Sequence, residues 1–377
     1  MTPYRPQKIY IEKDACDYPV TKKITSRLAG VPFEVIDSVR PLIAELKSRP
    51  DPVAEGKRCL YLAKDRGRSF KPFPESKQYL SCDYYTLHLA EGCDMECSYC
   101  ILQSYLTNPM LTVYVNLEET LASLGDFLDR HPEKFFRVGT GQLADSLSLD
   151  PILGHSEILV PFFAQRDNAV LELKTKSRCV ENLFDLSSNG KTIVSWSMNS
   201  ERVQKEEEHK CASIADRITA AGAVIKNSDH RVGFHFDPII DYPGWEEEYG
   251  QVFDLLFRKI PEDRMAWISL GCLRFVKDLR PIILDRFPKS LLPLGEWITG
   301  MDGKMRYLKS RRIEIYRRAA EKIRRYAPRV TLYLSMETPE VWRHVFGGEH
   351  SKTSVCELLD TAAGKREIPE GLVHCPD

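Results

Sequence analysis

Six times between about residues 83 and 287, a short strand-like run gives way to a helical one. The strands read YYTLHLAEG, FFRVGT, VLELKT, KTIVSWSMN, RVGFHFDP and MAWISLGC. The helices lie over VYVNLEETLASLGDFLDR, HSEILVPFFAQR, about 180–187, about 203–221, the segment opened by PGWEEEY, and DLRPIILDRF. In the first helix Leu117, Leu121, Leu124 and Leu128 share one face. Asn116 and Glu119 give it the signature of a capping box. Strand–helix alternation implies a parallel sheet with right-handed crossovers. Six units are too few to close an eight-stranded barrel. The expected fold is therefore α/β, an open, partial (β/α)6 barrel over residues 81–290.

Chemistry in such barrels gathers where the strands end. That rule selects Thr140, Gly141 and Gln142 after the second strand, Lys174 and Lys176 after the third, and Ser197 and Asn199 after the fourth. It selects His235 and Asp237 after the fifth, and Cys272 and Arg274 after the sixth. Any one of these residues is as readily a solvated or capping group. Their joint placement around one mouth is the argument.

The first strand runs into GCDMECSYCILQ, where Cys93, Cys97 and Cys100 have a C-x3-C-x2-C spacing. Three thiolates this close suit three irons of a [4Fe-4S] cluster and leave the fourth iron open, whereas electron-transfer clusters use four cysteines. An open iron can chelate a small molecule. The alternatives are structural zinc and a chance group of buried thiols. Zinc takes four ligands in paired spacings. Here Cys82 is eleven residues upstream, and no His follows at zinc-finger spacing.

Composition narrows the function classes. The chain has 377 residues, 43% hydrophobic and 28% charged, with a net charge of −1. No whole-molecule field draws it to nucleic acid or membrane, so any nucleic-acid contact is a local patch. Its eleven cysteines form no regular framework, and the start, MTPYRPQKIYIEKD, lacks the apolar core of a signal peptide. No run approaches the ~18 apolar residues of a membrane span. The expectation is a cytoplasmic protein in a reducing compartment, with no membrane partner.

Two flanking regions complete the plan. In residues 1–80, IYIE, DYPVTKKITSRL and PFEVID read as strand, helix and strand, and 38–80 reads as a linker without firm structure. In residues 291–377, LLPLGEWITGMDGKMRYLK reads as a hairpin and SRRIEIYRRAAEKIRRY as a helix with Ile313, Tyr316, Ala320 and Ile323 inward. VTLYLSMETPEVWRHVF reads as a seventh strand–helix unit, and the tail from about Gly348 as polar and mobile. Between Lys304 and Arg325 ten Lys/Arg face two Glu, either a phosphate-binding patch or a solvated helix face.

The cysteine spacing resembles that of radical S-adenosylmethionine (SAM) enzymes. More of the chain is similar to the spore photoproduct lyase family: QKIYIEKDACDYP, GCDMECSYCILQSYL, VYVNLEE, LELKTKS, SWSMNS, VGFHFDPIIDYPGWEEEY, LRFVKDLRPII and GKMRYLK. That resemblance implies a radical SAM barrel, with a [4Fe-4S] cluster on Cys93, Cys97 and Cys100 and SAM across the mouth. Lys176 and Ser197 match family contacts to SAM, and Gly141, Gln142 and Asn199 share that mouth. It implies a lyase acting on a methylene-bridged thymine dimer in damaged DNA, reduced by a donor such as flavodoxin or ferredoxin. His235, Asp237, Arg274, Lys304 and Arg306 are the candidate substrate contacts.

The chain also departs from the family. The cysteine that returns a hydrogen atom in the lyases falls at Gln142, whose N–H bond is too strong for that role. A serine that contacts SAM falls at Ala144. Of two relay tyrosines flanking the third cysteine, Tyr99 remains as a catalytic candidate and Ile101 replaces the other. The hairpin's arginine–tyrosine wedge falls near Thr299 and Gly300. Cys272 is the thiol that topology offers as another donor, or else a buried small hydrophobe. Two other readings remain. One is the same radical chemistry on a different nucleic acid, peptide or small molecule. The other is a nucleic-acid-binding protein with a structural cluster. Loss of the relay residue predicts that SAM is consumed rather than regenerated.

Overall fold

The computed structural model describes residues 3–67, 69–80 and 83–365. Cys82 and the tail beyond 365 lie outside them. The central sheet has eight strands. Six run parallel in chain order from one side: Tyr84–Leu87, Phe136–Gly139, Ala169–Thr175, Thr192–Ser197, Arg231–Ile239 and Met265–Cys272. These are the six strands expected from the alternation. Leu332–Leu334 adds a seventh parallel strand at one edge, and Phe70–Pro72 an antiparallel one at the other. The first expected strand is shorter than YYTLHLAEG. It stops at Leu87, and Ala90–Glu91 joins a different sheet.

That second sheet is built from the N-terminal region. Its order is Phe33–Ile36, Lys8–Glu12, Cys59–Ala63, Leu111–Tyr114 and Ala90–Glu91. The reading of 38–80 as unstructured fails here. Helices Arg40–Lys47 and Pro52–Gly56 lead into Cys59–Ala63, paired on both sides. The five residues CLYLA lie under cover on both faces, so they lack the alternation that marks a half-exposed strand.

Three other local expectations are corrected. Asn116 does not cap helix Leu117–Asp129 with its side chain. It pairs with the Asp65 backbone instead, accepting from its N–H at 2.8 Å and donating to its carbonyl at 3.0 Å. The helix expected over 203–221 is two helices, Glu201–Glu207 and Ile214–Asn227, the second capped by Ser213. Between them Glu208–His209 forms a two-residue strand against Glu96–Cys97 of the cysteine loop. The tail contains helix Lys352–Ala362, which buries Val355, Leu359 and Ala362.

The basic helix, Lys309–Tyr326, buries Arg312, Ile315, Tyr316, Ala319, Ala320 and Ile323. Its inward arginine is matched. Glu337 is fully buried and accepts from Arg312 at 2.7 and 3.2 Å and from the Tyr316 hydroxyl at 2.9 Å. Glu337→Ala leaves a buried guanidinium without its carboxylate. It should lower unfolding stability by about 3–5 kcal/mol, measured by urea denaturation. A loss under about 1 kcal/mol would put the pair among exposed bridges.

Candidate active site

The cysteine loop sits over the strand ends and is clamped from several sides. The Gln103 amide donates to the carbonyls of Ser98, Cys97 and Cys100 at 2.9, 3.2 and 3.3 Å. On the outer side Glu96 meets Arg286 at 3.0 Å and Lys57 at 3.4 Å, and Arg286 also holds Asp51 at 3.0 Å. On the inner side the Ser98 N–H donates to the Glu207 carbonyl at 2.9 Å, beside the Cys97–Glu208 pairing. Cys93, Cys97 and Cys100 are all free thiols, and Cys97 Sγ lies 3.5 Å from Cys211 Sγ. Burial pushes the Cys93 and Cys100 thiols up, while the Cys211 hydrogen bond holds Cys97 below its ordinary value.

Among the described residues no three His, Cys, Asp or Glu side chains gather closely enough to hold a single metal ion. The fit of a larger inorganic group rests on donor chemistry. Three soft thiols on one clamped loop, none used in a disulfide, are the ligand set of an iron–sulfur cluster with one open iron.

A buried carboxylate joins this loop to the barrel. Glu208 is wholly covered. One oxygen accepts from Asn199 Nδ2 at 3.2 Å and from the Tyr99 hydroxyl, and lies 3.3 Å from Lys176 Nζ. The other accepts from Arg217 at 2.5 Å. Burial works to raise its pKa, but Arg217 and Lys176 overcome that and hold it at about 2. Burial likewise opposes the charge on Lys176, yet Glu208 and Cys97 raise its pKa. The Lys176 ammonium also lies 5.5 Å from the Tyr99 ring centre. Arg217 holds the Ser197 carbonyl at 2.7 Å. Lys176, Tyr99 and Asn199 thus meet on one carboxylate, with Ser197 tied in through Arg217.

A second polar group lines the lumen. Glu172 accepts from Tyr84 at 2.5 Å, Ser195 at 2.6 Å and His235 Nε2 at 2.7 Å. Burial and Lys174 lower the pKa of His235, and its Nδ1 lies 2.7 Å from the Ser269 hydroxyl. Gly139 makes room for this, since a Cβ there would fall 1.7 Å from the Tyr84 hydroxyl. Asp237 and Arg274 form a bidentate pair at 2.8 and 2.9 Å. Burial opposes the charge on Asp237, but Arg274 holds its pKa at about 2. Gln142, Glu172, Lys174, Asp237 and Arg274 border a cavity of about 220 Å³. Gly141 packs against Lys174, where a Cβ would approach to 2.9 Å.

Two expected site residues, Cys272 and Arg306, are buried. Ser269 faces the lumen, so alternation along the strand turns Cys272 outward. Cys272 is buried in the helix layer, where the Tyr316 hydroxyl bonds its backbone N–H. It sits there as a small, buried side chain. Arg306 is only 2% exposed, stacks 4.4 Å from the Tyr79 ring centre and pairs with Asp302 at 2.7 Å. Lys304 is partly covered, 3.9 Å from the same Asp302. Sequence reasoning missed Glu172, Glu208, Cys211 and Arg217. Glu172 shares inward parity with Lys174, the one signal that could have found it. The other three sat inside a segment read as one helix.

The family model for spore photoproduct lyase matches residues 4–334. The chain belongs to the spore photoproduct lyase family. Among curated members, the spore photoproduct lyase of Bacillus subtilis (strain 168) is 28% identical over 302 residues, 78% of this chain and 86% of the relative. That of Geobacillus sp. (strain Y412MC61) is 27% identical over 304 residues, with the same coverage of both chains. A solved spore photoproduct lyase complexed with dinucleoside spore photoproduct superimposes with a TM-score of 0.78 at 25% identity. The match covers 89% of this chain and 100% of that one. A lyase variant with bound AdoMet and the same dinucleoside gives 0.77. The curled partial-barrel sheet is the fold of this radical SAM family.

Glu208 yields a pH prediction. Its pKa is about 2 folded against 4.5 ordinarily, so its contribution is present above pH 4.5 and is lost as pH falls toward about 2. Glu208→Gln should cost about 3–5 kcal/mol at neutral pH. It should also flatten the acid limb of the stability curve by up to one proton. Glu172 and Asp237, depressed likewise, contribute to the slope that remains. An unchanged acid limb in urea titrations at stepped pH would contradict the assignment.

Proposed function

We propose that this chain is a radical SAM lyase that repairs a UV lesion in DNA, with a [4Fe-4S] cluster and SAM at the barrel mouth. The observation that carries this is the free three-thiol loop, docked on Lys176 and Glu208 inside a barrel matched over its whole length by the family. A cluster held by Cys93, Cys97 and Cys100 would supply one electron, enough to cleave SAM to methionine and a 5′-deoxyadenosyl radical. The remaining work belongs to the chain. Lys176, kept protonated by Glu208, offers a charge-assisted contact to the SAM carboxylate, and Ser197 a hydrogen bond. The buried Glu172–His235 group and the Asp237–Arg274 pair set donors and acceptors around the lumen, where a base can be held.

The hydrogen atom that completes repair needs a source other than position 142. Gln142 borders the lumen but has no weak X–H bond, and Cys272 faces away from it. Tyr99 stays in place on Glu208, while Ile101 is exposed. This favours consumption of SAM in each turnover. DNA contact through the basic helix is also reduced. Arg311 pairs with Asp241 and Glu314, Arg318 with Glu246, Lys322 with Asp254 and Lys309 with Glu340. A one-electron donor such as flavodoxin or ferredoxin would reduce the cluster before SAM is cleaved, in the cytoplasm. No helix among the described residues is long and apolar enough to cross a membrane.

The test is anaerobic. Reconstituted protein receives reductant, SAM and a methylene-bridged thymine dinucleotide, and thymine release and 5′-deoxyadenosine are counted. The expected ratio of 5′-deoxyadenosine to repaired product is near unity, falling well below it in Gln142→Cys, where a thiol returns. 5′-Deoxyadenosine without thymine would overturn the substrate. Absence of 5′-deoxyadenosine would overturn the enzyme.

A further inference from the structure

The family match stops at Leu334, the last residue of the seventh barrel strand. The solved lyases are covered over 100% of their length, yet only 89% of this chain has a counterpart in them. The segment beyond Leu334 is no loose appendage. At Met336 the backbone takes a left-handed turn (φ 53°), rare for a residue with a side chain. The chain then reaches across the open side of the partial barrel. Glu337 pairs with Leu80, which precedes the first barrel strand, and accepts the Leu80 N–H at 2.8 Å. The two edges of the open sheet are thereby joined.

The helix Lys352–Ala362 then packs back on the barrel. Lys352 bonds Glu75 and Asp83, both at 2.7 Å, on the first-strand side. Asp360 accepts from Arg137 at 2.8 Å, and Arg231 donates to the Ala362 carbonyl at 2.6 Å. Ser335, Met336, Val355 and Leu359 all border the lumen cavity. That cavity is about 220 Å³. Pockets that enclose a drug-sized ligand run to ~300–1,000 Å³.

We propose that residues 335–365 are the specificity-determining wall of the lumen, limiting what it encloses to a single pyrimidine-sized ring. A bridged pair of rings does not enter whole, and its second ring stays at the mouth. The lining suits one such ring. The Tyr84 ring and the Leu359 side chain give it apolar contact, and Glu172, Lys174 and Arg274 offer an acceptor and donors for its edge. This rests on the reading of the barrel as the substrate site.

The test measures binding by calorimetry to reconstituted protein with SAM and without reductant, so that nothing turns over. The probes are thymidine and the methylene-bridged thymidine dinucleoside. Leu359→Ala, which widens the lumen, should tighten the dinucleoside about tenfold relative to thymidine, the scale on which a few methylenes discriminate in an apolar pocket. Lys352→Ala, at a residue that does not itself line the cavity, frees the helix from Glu75 and Asp83 and should shift the ratio the same way. This second variant keeps the test alive if Leu359→Ala does not fold. A ratio unchanged in a folded variant would overturn the proposal, as would equal changes for both probes. Reductant is then added to the same samples. 5′-Deoxyadenosine reports the radical SAM reading separately, so loss of one leaves the other standing.

Discussion

One buried carboxylate decides how the cysteine loop meets the barrel. Glu208 has no exposed surface, and an isolated charge there would cost several kcal/mol. Arg217 and Lys176 offset that cost, and Tyr99 and Asn199 fill its remaining acceptor sites. The same residue pairs through its backbone with Cys97. A thiol of the expected cluster, the lysine facing SAM and the remaining relay tyrosine are thus referred to one short strand. The outer clamp, Arg286 on Glu96 and Asp51, resists movement of the loop in the other direction.

That arrangement was only partly legible. The strand–helix alternation located all six parallel strands, because each apolar run is followed by a helical segment. The strand Cys59–Ala63 was lost because both its faces are covered, which removes the alternation. Glu208 was lost for the opposite reason. The helix read over about 203–221 ran straight through it, whereas Glu208–His209 pairs with the cysteine loop and a new helix starts after Ser213. Asn116 and Glu119 had the right spacing for a capping box, but the backbone of Asp65 competed for the asparagine. The family resemblance placed Cys93, Cys97, Cys100, Lys176 and Ser197 at one mouth. It could not show that strand parity turns Cys272 outward, or that Arg306 is buried on Tyr79 and Asp302.

The departures lie where the radical is used rather than where it is made. The loop that makes it is intact and doubly clamped. Across the lumen a polar network of Tyr84, Glu172, His235 and Ser269 stands where a hydrogen-donating thiol is missing at Gln142. The chain beyond the family match closes the open side of the barrel against that network.

The central claim is that the three-cysteine loop leaves one iron open to SAM. Electron paramagnetic resonance of the reduced, reconstituted protein, with SAM labelled by 15N in its amino group and 17O in its carboxylate, tests it directly. The account predicts that SAM changes the cluster spectrum and that both labels add hyperfine coupling. A spectrum that ignores SAM, with no coupling to either label, would contradict it and leave the cluster a structural one.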